Sequence, residues 1–243
     1  MATYVIADLH LSEGEGCEKP MDIFGRRWTG YTEKLKRNWC ALITPDDDVV
    51  LPGDLSWALS LDGAEADLRF IDALPGHKYL LKGNHDLWWS SMTKNRAACE
   101  GWGLKSLTFL YNNAYETGEY ILAGSRGWFS DEDATGVPED TDFEKIVARE
   151  AGRLRMSLTA AAACPSYGKK ETIAFMHFPP VWNGDAVQPF IDVLKEYSVG
   201  RCYYGHVHGN YTAPAEAVVD GIRFCLISAD YLDFVPRIIL PDR

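Results

Sequence analysis

One pattern limits the fold of this chain more than any other: an apolar run that ends in side chains able to bind a metal ion. The pattern occurs five times and contains five of the six histidines, so that only His77 lies outside it. The motifs that end the five runs are Asp8-Leu9-His10, Gly53-Asp54, Gly83-Asn84-His85-Asp86, His177 and Gly205-His206-Val207-His208. Open α/β sheets bind their ligands at the carboxyl ends of the strands. We therefore expect the fold to bring these five strand ends together at one site.

The rest of the sequence alternates between helix and strand patterns and changes character near its carboxyl end. Helical spacing predicts helices over residues 31–43, 61–73, 90–100, 141–163 and 187–197. Short apolar runs predict strands over residues 3–7, 49–52, 77–81, 107–110, 120–123, 172–176, 201–204, 216–219, 222–227 and 235–240. Asp220-Gly221 is a strong hairpin signal between two of these strands. Alternating elements followed by hairpins predict two mixed sheets rather than one parallel sheet.

Three connections carry expectations of their own. Residues 11–30 are rich in glycine and have no periodic apolar face, so we expect a mobile lid or rim over the site. Residues 130–140 are polar and acidic, which indicates a surface loop. Thr141 and Glu144 fit a capping box at the start of helix 141–163.

Composition narrows the class of protein. A length of 243 residues, 47% hydrophobic and 24% charged, predicts a single globular domain spanning residues 1–243. The net charge of −11 argues against nucleic acid or an anionic membrane surface as the main partner. The six cysteines show no paired C-x-x-C spacing, which indicates free thiols of a reducing compartment. Without a signal peptide or an apolar stretch long enough to span a membrane, we expect a cytoplasmic enzyme.

The five motifs, taken in order from Asp8 to His208, resemble those of the calcineurin-like metallophosphoesterases. The resemblance implies an α/β fold, a four-layer α-β-β-α sandwich with the metal site at the strand carboxyl ends. It also implies a site for two divalent ions. By resemblance, the first ion takes Asp8, His10, Asp54 and His208, and the second takes Asp54, Asn84, His177 and His206. Asp54 would then bridge the two ions.

The chemistry of these ligands narrows the choice of metal. The set contains carboxylates, imidazoles and an amide but no thiolate, which favours Mn²⁺, with Fe or Zn²⁺ as alternatives. The resemblance implies that a hydroxide bridging the ions attacks phosphorus, and that His85 protonates the leaving oxygen. In many members a carboxylate three residues after the bridging aspartate orients that histidine. Here Trp57 occupies the position, so no partner for His85 is identified.

Other residues near the motifs have a functional and a structural reading. Arg126 could bind substrate phosphate, although an ordinary salt bridge fits equally well. Trp57 could wall a pocket for a flat leaving group together with Trp88, Trp89, Trp128 and Trp182, although core packing is the alternative. Asp86 and Asp230 could orient imidazoles, or could serve as caps or turn residues.

The reading with most support is a metal-dependent phosphohydrolase acting on a small phosphoester, with a phosphodiester preferred over a monoester. A diester must expel an alkoxide, so a well-placed acid such as His85 matters more there. A phosphomonoesterase or protein phosphatase is the enzymatic alternative. A pyrophosphatase for lipid-linked nucleotides and a metal-poor scaffold of the same fold are further alternatives. No motif specifies an oligomeric state.

Overall fold

The protein is described from a computed structural model, which covers residues 1–14, 19, 21–129 and 142–241. Along these residues the strands are β1 (Thr3–Val5), β2 (Asp48–Pro52), β3 (His77–Leu81), β4 (Leu107–Phe109), β5 (Ala114–Glu116), β6 (Tyr120–Ser125), β7 (Glu171–Met176), β8 (Val181–Trp182), β9 (Asp185–Ala186), β10 (Arg201–Tyr204), β11 (Glu216–Val219), β12 (Ile222–Leu226) and β13 (Arg237–Ile239). The α-helices are α1 (Tyr31–Leu42), α2 (Glu65–Ala73), α3 (Met92–Gly101), α4 (Phe143–Ala162) and α5 (Gln188–Glu196). Short 3-10 helices cover Met21–Phe24, Arg26–Trp28 and Asp62–Ala64.

The strands form two large mixed sheets, as the sequence predicts. The first has the order β13-β1-β2-β3-β4, in which β1 to β4 are parallel and β13 is antiparallel to β1. The second has the order β11-β12-β10-β7-β6-β5, with four parallel central strands and an antiparallel strand at each edge. The predicted hairpin at Asp220-Gly221 is the β11–β12 pair. Strands β8 and β9 form a separate small hairpin.

Three apolar clusters define the layers. In the first, Leu35 and Trp39 of α1 pack with residues of α2, α3 and one face of the first sheet. In the second, helices α4 and α5 pack on one face of the second sheet, with Leu154 and Phe190 fully buried. The third cluster combines residues from the other faces of both sheets. Because the sheets pack against each other and the helices lie outside, the order is α-β-β-α, as the resemblance implies.

The boundaries of α4 differ from the prediction. The helix begins at Phe143, and Asp142 is its N-cap, because the Asp142 side chain accepts a hydrogen bond from the Lys145 backbone amide. The predicted capping box places the N-cap at Thr141, one residue before the N-cap that the structure describes. Thr141 and the predicted loop at residues 130–140 lie outside the described residues.

A backbone connection joins the two sheets at the edge where the motifs lie. The Ala7 amide donates to Ile227 O at 2.9 Å, and the Ala229 amide donates to Ala7 O at 2.9 Å. The chain just beyond β1 therefore pairs in parallel with the chain just beyond β12. This pairing brings the carboxyl edges of both sheets together, which positions motifs from different sheets at one site.

Two expectations about the chain can be compared with the described residues. Within them, no helix combines the length and apolar character needed to cross a bilayer. The described cysteines are all free, and three of them are buried: Cys99, Cys202 and Cys225.

Candidate metal centre

The seven side chains that the sequence proposes as metal ligands converge at this edge. Six of them fall into two groups whose ligand atoms lie within 4.8 Å of one another: Asp8, His10 and His208 in the first group, and Asp54, His177 and His206 in the second. In the first group, His10 Nε2 lies 3.1 Å from His208 Nε2, which lies 3.5 Å from Asp8 Oδ1. The ligand atoms of two imidazoles and a carboxylate thus lie around one small space.

The second group includes the seventh side chain, Asn84. Its Oδ1 lies 2.7 Å from His177 Nε2 and 3.0 Å from His206 Nδ1. The two imidazole nitrogens are 3.3 Å apart. The neutral amide oxygen thus shares one volume with two imidazoles, as a common set of ligands would.

Asp54 lies between the two groups. Its Oδ2 is 3.4 Å from His177 Nε2 in the second group and 3.7 Å from His10 Nε2 in the first. A single carboxylate oxygen therefore approaches ligand atoms of both groups, which is the placement that a bridging ligand requires.

Left-handed backbone conformations aim several of these side chains. Asp8, His10, Asp54 and His206 have φ values of 63°, 46°, 51° and 71°. Such conformations cost about 1–3 kcal/mol each in residues other than glycine, and they concentrate at functional sites. In a regular strand, Asp8 and His10 would share one face. Here the chain has left the strand, and the strained turns direct both side chains into the site.

Two glycines allow the segments to approach each other closely. A Cβ at Gly83 would lie 2.1 Å from Asp54 Oδ1, and a Cβ at Gly205 would lie 2.4 Å from Asp8 Oδ2. Neither distance is tolerable, so any side chain at these positions would displace a proposed ligand. Gly83 thus lies directly against the carboxylate that we propose as a shared metal ligand.

The two carboxylates are arranged alike, and both fit a cation. Asp8 Oδ2 accepts a hydrogen bond from the His206 amide, and Asp54 Oδ1 accepts one from the His85 amide, both at 2.8 Å. The other oxygens, Asp8 Oδ1 and Asp54 Oδ2, are buried and have no hydrogen-bond partner among the described residues. Buried carboxylate oxygens without a partner are costly. The donor set therefore fits divalent cations, which would supply the missing partner.

Electrostatics within the chain alone lead to the same conclusion. Burial and the neighbouring carboxylates of Asp86 and Asp8 raise the pKa of Asp54 well above its usual value. Burial lowers the pKa of His177 to about 3 and that of His206 to about 4, so both imidazoles are neutral at pH 7. Neutral imidazoles are the form that binds metals. A positive charge would relieve the penalty on the Asp54 carboxylate.

His208 differs from the other imidazoles. Burial alone would lower its pKa, but the carboxylates of Asp8 and Asp230 raise it to about 10. Asp230 Oδ1 contacts His208 Nδ1 at 2.9 Å, which leaves Nε2 facing the site. Asp230 thus orients an imidazole, one of the two roles that its position in the sequence suggested.

Asp86 does not orient an imidazole. Its Oδ2 accepts hydrogen bonds from the amides of Asp54 and Gly83, at 2.9 and 2.7 Å. Its Oδ1 accepts from the amides of Leu55 and Ser56 and from the Trp88 indole. The buried carboxylate therefore fixes the backbone of the loop after β2 to the loop after β3, which is closer to the cap or turn role that the sequence left open than to the orientation of a histidine.

An open pocket of about 420 Å³ is lined by ligands of both groups, His10 and His208 of the first and Asp54 and His206 of the second. One side is polar, with His85 beside the proposed ligands, and the other side is apolar. The apolar side consists of Met21, Phe24, Trp28 and Trp57. The sequence reading proposed only Trp57 among these residues. The other three lie in the segment 11–30 and line the pocket as a rim would, while the mobility of the segment remains a prediction.

Trp57 packs on both His10 and His85. Its ring is stacked with His10 at 4.8 Å between centroids, and it lies tilted against His85 at 4.3 Å. His85 is half-buried, and burial, the Lys19 ammonium and His208 lower its pKa. Trp57 therefore positions the His85 ring by packing, at the sequence position where many proteins of the resembling family carry a carboxylate.

Arg126 lies elsewhere, in a smaller cavity beside the metal centre. Its Nη2 is 3.3 Å from Glu150 Oε1, and its guanidinium lies 4.9 Å from the Trp128 ring. The salt bridge that the sequence reading held open as an alternative is present. Of the other tryptophans proposed as pocket walls, Trp88 is buried in the core and Trp89 lines the smaller cavity.

Comparison with known proteins agrees with this fold. The sequence model for the calcineurin-like phosphoesterases matches residues 1–210. No curated protein matches the sequence. The structure is similar to phosphopantetheinyl hydrolase (PptH) from Mycobacterium tuberculosis, with 15% identity, a TM-score of 0.58, and coverage of 99% of this chain and 96% of that chain. It is also similar to TT1561 from Thermus thermophilus, with 14% identity, a TM-score of 0.60, and coverage of 95% and 91%. The family match spans every proposed ligand, and the chain therefore belongs to the calcineurin-like phosphoesterase family.

Proposed function

We propose that this chain is a phosphodiesterase that uses two divalent ions, within one metallophosphoesterase domain spanning residues 1–243. One observation carries the proposal. Asp54 Oδ2 lies 3.7 and 3.4 Å from an imidazole nitrogen of each ligand group, and it has no hydrogen-bond partner among the described residues. A carboxylate oxygen so placed suits a bridge between two ions.

The proposed ligands divide as the family resemblance implies. Asp8, His10 and His208 would hold the first ion, Asn84, His177 and His206 the second, and Asp54 both. Bound there, Mn²⁺ or another divalent ion would supply a hydroxide nucleophile and positive charge that stabilises the transition state. The side chains contribute orientation, because backbone amides fix one oxygen of each aspartate.

His85 is proposed as the acid that protonates the leaving oxygen. Its amide donates to Asp54 Oδ1, so its position is tied to that of the bridging carboxylate. Its ring lies in the pocket beside His10, 5.6 Å away between centroids, without belonging to either ligand group. A proton donor next to the ions, rather than bound to them, suits the departure of an alkoxide.

The apolar wall favours a substrate whose leaving group is flat or apolar. Trp28, Trp57, Met21 and Phe24 face the proposed ligands across the pocket. A nucleotide base or an alkyl chain could pack there, with the phosphodiester at the ligands. One structural neighbour is a phosphopantetheinyl hydrolase. Phosphopantetheinyl esters therefore belong in the panel of substrates.

The test is a panel of phosphodiesters and matched monoesters, assayed with Mn²⁺, together with metal analysis of the same preparation. We expect two ions per chain and a higher kcat/KM for diesters with apolar leaving groups than for the matched monoesters. A higher kcat/KM for the monoesters would replace the diesterase by a phosphomonoesterase. At most one ion per fully loaded chain would refute the dinuclear site, and a loaded protein inactive on every ester would favour a scaffold.

A further inference from the structure

A second cavity, of about 130 Å³, lies beside the metal centre at the carboxyl ends of β3 and β6. Four charged side chains line it, and together they define what we name the basic cavity: Lys82, Arg126, Glu150 and Arg153. Ser90 and Asn112 add polar groups to the lining. The volume corresponds to about four water molecules, which is sufficient for a small tetrahedral or planar anion.

The charges of the basic cavity do not balance among the described residues. Glu150 is fully buried. Its Oε1 forms ion pairs with nitrogens of Arg153 at 2.6 Å, Arg126 at 3.3 Å and the nearby Arg149 at 3.4 Å. Lys82 forms no ion pair with any residue that the structure describes. Within the lining, one carboxylate therefore faces three cations, and Arg149 lies at its border, which leaves an excess of positive charge even though the Asp86 carboxylate also lies near Lys82.

The two guanidinium groups are held in place before any ligand arrives. Arg126 lies 4.9 Å from the Trp128 ring, and Arg153 lies 5.7 Å from the Tyr111 ring. Both also share the buried Glu150 oxygen. Planar guanidinium groups fixed in this way lose little freedom when they bind an oxyanion, and they suit phosphate and carboxylate groups.

The basic cavity is joined to the backbone of the proposed metal centre. Arg126 O accepts hydrogen bonds from the amides of His177 at 3.1 Å and Phe178 at 2.9 Å. Lys82 lies two residues before Asn84. The cavity thus adjoins the second group of ligands, whereas the apolar wall adjoins the first.

We propose that the basic cavity binds an oxyanion, a phosphate or a carboxylate, through Lys82, Arg126 and Arg153. The anion would be either a group of the substrate remote from the reacting phosphorus or a free anion that acts as an effector. The first source rests on the proposed function, whereas binding of the anion itself does not.

Binding is tested by soaking crystals of the metal-loaded protein in tungstate, a phosphate mimic located by its anomalous scattering. We expect one peak between Lys82, Arg126 and Arg153, and its loss in Lys82→Met. The control is Arg155→Met, because Arg155 lies on the same helix as Arg153 but pairs with Glu196 at the surface. A wild-type cavity without a peak at the highest tolerated tungstate concentration would overturn the proposal. An unchanged peak in Lys82→Met would overturn it as well. A peak at the proposed metal ligands is scored separately and reports only on the proposed function.

Kinetics then separate the two sources of the anion. If the substrate supplies it, Lys82→Met and Arg153→Met should raise KM about 10- to 100-fold for a diester with a remote phosphate, the effect of losing one charge-assisted hydrogen bond. A diester without that group should be unaffected. If a free anion is the effector, sulfate should change kcat/KM of the wild type for the simple diester, but not that of the variants. If neither difference appears, the cavity has no role in turnover and that part of the proposal fails.

Discussion

The first and second groups of ligands form the two halves of the proposed metal centre. Their side chains are of similar types but are held in different ways. His177 of the second half has no exposed surface, and its Nδ1 lies 3.1 Å from Pro52 O. His208 of the first half has a 31% exposed side chain, and the carboxylate of Asp230 holds it. A backbone carbonyl thus holds His177 in the second half, whereas a side-chain carboxylate holds His208 in the first.

The two halves also differ in the pKa values of their histidines. With pKa values of about 3 and 4, His177 and His206 are neutral at pH 7 and ready to bind a cation. His208, with a pKa of about 10, must first lose a proton. We infer that the second half is prepared for its ion by the fold, while the first half must give up a proton when it binds one.

The largest effect is expected from Asp54→Asn, compared with Asp8→Asn. The two aspartates are matched, since each holds a backbone amide with one oxygen and directs the other into the site. Because Asp54 would serve both ions, its loss should reduce kcat/KM by about 10³-fold or more, and that of Asp8 by about 10²-fold. Both are measured at saturating Mn²⁺ with metal content determined in parallel. Equal losses would remove the distinction between a bridging and a terminal ligand.

A thermal measurement adds a control that does not depend on activity. In protein freed of metal by a chelator, burial and nearby carboxylates penalise the charge of Asp54. Asp54→Asn should therefore raise the Tm of the metal-free protein while it lowers activity. A lower Tm in the metal-free state would mean that the substitution disturbs the fold, and its kinetics would then say nothing about bridging.

The next largest effect concerns His85, which lies at the first half but belongs to neither. His85→Asn should retain both ions and lose about 10²–10⁴-fold in rate on diesters with poor leaving groups, the usual contribution of a general acid. The loss should shrink for esters of acidic phenols, whose anions leave without a proton. Metal content and rate are measured on the same preparation. A wild-type rate on poor leaving groups, with both ions retained, would exclude His85 as the acid.

Only part of the site could be predicted from the sequence. The order of the motifs placed His177 among the ligands, although a lone histidine is more often structural. The sequence could not reveal the left-handed turns at Asp8 and Asp54, because their conformation depends on where the chain goes next. Nor could it show that Glu150 pairs with Arg126, 24 residues away, since that contact depends on how α4 packs on the second sheet.

The fold, like the site, could be predicted from the sequence in some places and not in others. Strand β3 was predicted with its observed bounds, because a fully apolar run between clear turn signals leaves few alternatives. Strand β5 was missed, since its three residues are partly exposed and lie at a sheet edge. The sequence left two roles open for Asp86, because most of its partners are backbone amides, several of them in another loop, which leave no trace in the sequence.

A smaller effect is expected from Asp230→Asn, which removes the support of His208. Loss of a partner that orients a ligating imidazole typically reduces metal affinity about 10- to 100-fold. The reduction should affect one of the two ions only, because the Asp230 carboxylate holds His208 and the Gly209 amide and, within the described part of the chain, no ligand of the second half. Titration of metal-free protein with Mn²⁺ separates the two affinities. Equal weakening of both would mean that the halves do not bind independently.

The smallest effect is the difference in pH dependence between the two halves. Below pH 10 the first half must displace a proton from His208, so its metal affinity should rise about tenfold for each pH unit between roughly pH 6 and 9. His177 and His206 are already neutral in that range and add no such slope to the second half. Asp54 is shared and can lose a proton only once, with whichever ion binds first. Calorimetric titrations in buffers of different ionisation enthalpy count the protons released with each ion. We expect Asp230→Asn to reduce the proton release that accompanies one ion and to leave that of the other unchanged, because the Asp230 carboxylate helps to raise the pKa of His208. An equal reduction for both ions, or none for either, would contradict the contrast between a prepared half and one that must give up a proton.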